Sequence, residues 1–159
     1  MKKEKPSMQF DSTDLTLLKH IQSDGRISNS KLAEKVNLSE TPCWRRWKKL
    51  EDEGYIDQYR AVLNRKKLGF NVVGFTQITL SSHEEENTDL FEQFVAQTDW
   101  IPLCHCVTGT FDFLVQVVAR DLDEYYERIH QLRRVQGVSA LHSSVSVKEI
   151  KNSSLLPLD

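Results

Sequence analysis

Ser39-Glu40-Thr41-Pro42-Cys43-Trp44-Arg45-Arg46-Trp47-Lys48-Lys49-Leu50 reads as one helix with a marked start. Ser39 has the side chain of an N-cap, and Glu40 puts a negative charge where the helix dipole favours one. Pro42 falls in the first turn, where a missing N–H loses no intrahelical bond. Leu38 and Cys43 occupy the two positions of a hydrophobic staple, which sets the angle at which the chain enters the helix. Cys43, Trp47 and Leu50 recur at i, i+4 and i+7, an inward-facing stripe. The other faces carry Arg45, Arg46, Lys48 and Lys49, and the acids wait until Glu51-Asp52-Glu53. A narrow apolar stripe with small polar groups at its N-terminus and cations behind suits a nucleic-acid groove. A plain solvated surface helix reads the same way, so the neighbouring stretches decide.

Upstream, Asp11 is placed to cap a first helix with Asp14 three residues on, a capping box in acidic form. Phe10 and Leu15 form a second staple. Leu15, Leu18 and Ile21 supply the stripe, and Asp24-Gly25 ends the helix at a glycine suited to the left-handed cap. Ile27 follows as a buried link. Ser28 caps a second helix through Leu32, Ala33 and Val36, which stops at Asn37, a residue that tolerates the left-handed region. Two short helices joined by a turn of about three residues are the helix-turn-helix signature, whose second helix enters the major groove. After Gly54, the residues Tyr55, Ile56, Tyr59, Ala61, Val62 and Leu63 read as short extended segments, a wing or hinge strand. The polar run from Asn64 to Gly69 marks a boundary.

The second half alternates. Val72–Leu80 is a strand by its β-branched content and period, followed by an acidic loop over 81–87 and an amphipathic helix over 89–96. Residues 101–107 and 113–119 are strands joined through Thr108-Gly109-Thr110-Phe111-Asp112. Leu122, Tyr125, Tyr126, Ile129 and Leu132 mark another helix, ended by Gly137, and 138–150 is a last strand. The order βαββαβ is the ferredoxin-like pattern.

Composition narrows the function class. The 159 residues carry a net charge of −2, so attraction to DNA has to come from a local patch. Residues 1–64 hold 12 Lys/Arg against 10 Asp/Glu, and Arg45 to Lys49 is the densest basic run. No apolar stretch approaches the ~20 residues of a membrane span, and the basic start lacks a signal-peptide core; the reading is a cytoplasmic protein. Three cysteines fit a reducing compartment. No nucleophile–base pair, phosphate-binding glycine loop or metal-ligand cluster is seen, and the five histidines are scattered, which argues against an enzyme. In Cys104-His105-Cys106 a regular strand turns His105 away from the two thiols, so the three cannot close on one ion. Buried strand cysteines are the expectation, with a site shared across a dimer left open.

Taken with their spacing, Asp24-Gly25-Arg26-Ile27-Ser28-Asn29, Leu38-Ser39-Glu40-Thr41-Pro42-Cys43, Leu50-Glu51, Gly54-Tyr55-Ile56 and Thr108-Gly109-Thr110-Phe111-Asp112-Phe113 resemble the bacterial Lrp/AsnC, or feast/famine, family of transcriptional regulators. The resemblance runs from about residue 10 to about residue 150. It implies an α+β chain: a winged helix-turn-helix domain over 10–58, a hinge strand and linker over 59–69, and a ligand-sensing, oligomerising βαββαβ domain over 70–151. Residues 1–9 are expected to be a disordered start and 152–159 a tail. It further implies a homodimer assembling to a tetramer or octamer on double-stranded DNA, with a small amino acid as effector in an inter-subunit cleft and no other cofactor or metal.

Ser39, Glu40, Thr41, Arg45 and Arg46 are the candidates for base or phosphate contact, with Lys48 and Arg60 as backbone contacts; Arg pairs bidentately with guanine or clamps a phosphate. Trp44 and Trp47 are expected to pack inside the fold. Around the effector, Gly109 and Thr110 would offer backbone groups and Asp112 a carboxylate to an ammonium. Val107, Phe111 and Ser146 are neighbours that the resemblance adds. A hairpin turn explains Gly109 and Asp112 equally well without a ligand. The competing function is a ligand-independent architectural DNA-binding protein.

Overall fold

The structure is a computed structural model and describes residues 11–82 and 85–158. Residues 1–9, expected to be disordered, the Phe10 staple and His83 lie outside the described residues. The chain divides into two compact units, one running to Val62 and taking in the tail from Asn152, the other spanning Leu63–Lys151.

The first unit holds α1 (Ser12–Ser23), α2 (Asn29–Lys35) and α3 (Glu40–Asp52). The acidic capping box is present: Asp11 Oδ1 accepts the Thr13 and Asp14 amides at 2.9 Å each, and Asp14 Oδ2 accepts the Asp11 amide at 3.2 Å. Ser28 caps α2 by accepting the Lys31 amide at 3.3 Å, and Asn37 takes φ +53° as the chain turns into α3. The core gathers Leu17, Ile21, Ile27, Leu32, Ala33, Cys43 and Leu50, with Leu18, Val36, Leu38, Trp47 and Ile56 packed against it. Both members of the α3 staple, Leu38 and Cys43, are therefore in place.

Three expectations for this unit change. Leu17, outside the expected α1 stripe, is fully buried, and Leu15 is only half-buried. Gly25 is not in the left-handed region; Asp24 Oδ1 accepts the Arg26 amide at 3.0 Å instead, and a Cβ on Gly25 would stand 3.3 Å from Tyr59. The extended segment expected over Tyr55–Leu63 joins no ladder among the described residues and runs as irregular backbone. A strand needs a neighbour to take its amides and carbonyls, and nothing in a linear pattern supplies one. The tail does find a partner in α1. The Gln22 side chain donates to the Leu156 carbonyl at 3.1 Å and accepts the Leu156 amide at 3.0 Å.

In the second unit, β1 (Val72–Leu80), α4 (Glu85–Ala96), β2 (Leu103–Cys106), β3 (Phe113–Ala119), α5 (Leu122–Arg133) and β4 (Val138–Val145) follow the βαββαβ order. The sheet order is β2-β3-β1-β4, and every pairing is antiparallel. Ile78, Leu80, Phe113, Val115, Val117 and Ala119 share the buried face with Phe91 of α4 and Tyr125 and Leu132 of α5. Gly74 is required there by close approach, since a Cβ would sit 2.0 Å from the Tyr125 hydroxyl. That hydroxyl and Thr76 both hydrogen bond to Ser143. Leu122 and Tyr126, read as part of the α5 stripe, are exposed. α4 starts at Glu85, ahead of its expected beginning, while β2 and β4 are shorter than the apolar runs that announced them.

Candidate functional site

Ser39 occupies the N-cap position of α3 with an extended backbone, φ −74° and ψ 160°, but its hydroxyl makes no capping bond. The Glu40 carbonyl accepts the Asn29 side-chain amide at 3.0 Å, which ties the entrances of α2 and α3 together. With Cys43 and Leu50 buried, the opposite side of the helix is set by its 3.6-residue turn. Thr41, Trp44, Arg45 and Lys48, at i, i+3, i+4 and i+7, are all exposed there. Trp44 is 56% exposed, contrary to the expectation that it packs inside. A tryptophan next to a core stripe looks internal by composition; its position one residue after Cys43 is what turns it outward.

The basic run is not uniform. Arg46 reaches back to α1, where Nη1 lies 2.8 Å from Asp11 Oδ2 and 2.8 Å from Asp14 Oδ1. Asp14, then Asp11, raise the Arg46 pKa further above its ordinary value by accepting its hydrogen bonds. Lys48 pairs with Glu51 at 3.3 Å and Asp52 at 3.1 Å, and Lys49 with Glu53 at 3.7 Å. Arg45 has none of these pairings and faces outward. Trp47 is held inside by donating to Tyr59 Oη at 2.6 Å, and that hydroxyl donates to Glu51 at 2.8 Å. Arg60 lies exposed on the irregular segment beyond.

In the second unit the loop before β3 is anchored to the end of β1. The Val107 amide donates to the Asp112 carbonyl and the Asp112 amide to the Ile78 carbonyl, each at 2.8 Å. Asp112 Oδ2 accepts the Leu80 amide at 2.7 Å, so the carboxylate already has a structural duty. Gly109 takes φ +136° with open space where a Cβ would point, which leaves its backbone approachable. Thr110 is exposed, and Val107 and Phe111 are half-buried. Five of the six candidate effector residues thus lie together. Ser146 does not join them: its amide donates to the Val73 carbonyl at 2.8 Å, toward the other end of β1. Val73 and Ile78 are about 16 Å apart along an extended strand, so within one chain Ser146 is remote from the loop.

Cys104 and Cys106 share one face of β2, opposite Val115 and Phe113. Cys104 is half-buried against the core, whereas Cys106 is exposed, so only one of the two behaves as the expected inward cysteine. Among the described residues, no group of three or more His, Cys, Asp or Glu side chains is arranged to hold a metal ion.

Comparison with known proteins fits both units. The Lrp/AsnC ligand binding domain matches residues 73–156, and the winged helix-turn-helix DNA-binding domain matches residues 10–57. The chain belongs to the Lrp/AsnC family of transcriptional regulators. It is 37% identical over 158 residues to the leucine-responsive regulatory protein of Escherichia coli, covering 97% of this chain and 94% of that one. A transcriptional regulator from Neisseria meningitidis, solved as a complex with L-Met, superposes with a TM-score of 0.91 at 32% identity, covering 94% of this chain and 97% of the other. An AsnC family regulator from Agrobacterium tumefaciens superposes at 0.89 with 30% identity, covering the same shares of the two chains. An Lrp/AsnC chain is a winged helix-turn-helix domain followed by a ligand-binding domain, here four antiparallel strands with two helices. No described helix is long and apolar enough to cross a membrane.

Proposed function

We propose that this Lrp/AsnC protein binds double-stranded DNA through the outward face of α3, and that a small amino acid at the second unit changes that binding. The observation that carries the DNA half is the division of labour on α3. Arg46 is committed to docking the helix on α1, while Arg45 stands on the same exposed face as Thr41, Trp44 and Lys48. Ser39, Glu40, Thr41 and Arg45 are the contacts to bases or phosphates; Lys48 and Arg60 face the DNA backbone, and Arg46 acts by holding the helix in place.

The effector half is supported by the ligand-binding family of the second unit and by the Neisseria neighbour's complex with L-Met. Its residues are Val107, Gly109, Thr110, Phe111 and Asp112. Ser146 would take part only from a second copy of the chain. The working form is a homodimer or a larger even assembly in the cytoplasm, on the nucleoid, with no catalytic step and no resident cofactor. The effector acts by preferring one of two assemblies that space the recognition helices differently, and its influence is limited to that preference.

Two measurements on the full chain test this reading. Duplexes selected from a random pool should bind with an affinity that falls steeply with salt, because phosphate contacts release counterions. A thermal-shift screen against the twenty amino acids should single out one or a few, since a ligand at about 100 times its Kd adds about 2.7 kcal/mol to the folded state. If none of the twenty shifts a protein that binds DNA, the effector half is lost and the architectural reading takes its place.

A further inference from the structure

Trp44 is the largest apolar side chain on the outward face of α3, and none of the duties assigned above uses it. The same residue type three positions on behaves oppositely: Trp47 is half-buried and its N–H is spent on Tyr59. Trp44 leaves 56% of its surface in water, among Thr41, Arg45 and Lys48. An indole joins a large apolar ring to one polar N–H, which is why tryptophan is enriched at interfaces. Its charged neighbours make the partner a polyanion.

We propose that Trp44 reads thymine in the major groove through the C5-methyl group; this rests on the DNA-binding reading given above. Recognition helices contact base edges with their N-terminal residues, and Trp44 is the fifth residue of α3. The thymine methyl is the apolar feature that the base edges present in that groove. A flat indole edge meets it without unstacking a base, whereas Arg45 beside it provides the polar contact. Trp44 therefore adds a preference for thymine to an interface that is otherwise read by hydrogen bonds and charge.

The test uses the full-length protein and a duplex that it selects from a random pool, with each thymine replaced in turn by deoxyuracil. That replacement deletes one methyl and nothing else. The wild type should lose about fourfold in affinity at one or two positions per half-site, the value of one buried methyl-sized group. In Trp44→Ala the loss should vanish at those positions, and Trp44→Phe, which keeps an apolar ring without an N–H, should retain it. Trp44→Gln replaces the alanine variant if the latter fails to fold. A uracil penalty that persists in Trp44→Ala or Trp44→Gln overturns the assignment. So does equal weakening on thymine and uracil duplexes by Trp44→Ala and Trp44→Phe alike, the mark of an indole N–H on a phosphate. A folded protein that enriches no duplex at all removes the DNA-binding reading itself, a result distinct from either of these.

Discussion

Arg46 and Asp14, 32 residues apart in the chain, meet at 2.8 Å and fasten the recognition helix to the first helix. Asp14 is buried and also serves the α1 capping box, so Arg46 closes a network that the helix cap begins. Arg46→Ala leaves that carboxylate short of a charged donor. The expected cost is about 1.5–3 kcal/mol in urea unfolding, the range for a hydrogen bond to a charged group, with weaker DNA binding as a consequence. Arg45→Ala should do the reverse, leaving stability within about 0.5 kcal/mol and reducing the salt dependence of DNA binding by about one charge. Equal destabilisation by both variants would show that the two arginines do not differ in role.

The same network gives the unit an acid limit. The Asp14 amide, then the Arg46 guanidinium, hold the Asp11 carboxyl below its ordinary value of 3.8. Its folded pKa lies below its unfolded one, so its contribution is complete above the unfolded value and is lost as pH falls through the folded value. Asp11→Asn should therefore narrow its stability difference from the wild type as pH drops from 5 toward about 3. A difference that stays constant over that range would mean that Asp11 stabilises as a neutral cap alone.

Asp112 allows structure and sensing to be separated. Its carboxylate holds the Leu80 amide at 2.7 Å, a bond that an amide oxygen can also accept. Asp112→Asn should keep stability within about 0.5 kcal/mol, while Asp112→Ala should lose about 1 kcal/mol. If the negative charge meets an effector's ammonium, both variants lose the amino-acid thermal shift. An asparagine variant with an unchanged shift would leave Asp112 with its structural role alone.

The cysteines should label in the order of their burial. Burial, with Glu92 and Cys106 adding to it, pushes the Cys104 thiol up to about 11, so about one in a thousand is thiolate at pH 8. Cys43 is fully buried, and burial raises its pKa too. Peptide mapping after iodoacetamide at pH 8 should find Cys106 first, Cys104 later and Cys43 only once the first unit opens. Early modification of Cys43 would mean that α3 does not seal the core beneath it.

Local chemistry carried most of the fold. The capping box at Asp11, the turn at Asn37, the staple into α3 and the bounds of β1 and β3 all depend on neighbours within a few residues, and a linear pattern holds that information. What escaped the sequence was contact at a distance. The phase of the Cys43–Leu50 stripe already set Arg46 nearer the buried side than Arg45, but its partners lie on another helix, where no spacing rule reaches. Trp44 looked internal because indoles usually are, although the phase of the Cys43–Leu50 stripe already pointed it outward. Ser146 was placed beside the loop by likeness alone, and the register of β4 on β1 puts it at the other end of the strand. The run from Tyr55 to Leu63 had the composition of a strand, yet it joins no sheet among the described residues.

The return of the tail to Gln22 makes the sensing unit a closed bight: its chain leaves the DNA-reading body at Val62 and re-enters it at Asn152. Casting off the Leu156 mooring forfeits two hydrogen bonds, about 1–3 kcal/mol together. Cutting the chain at Val62 to isolate a reader would also strip it of a piece that belongs to it.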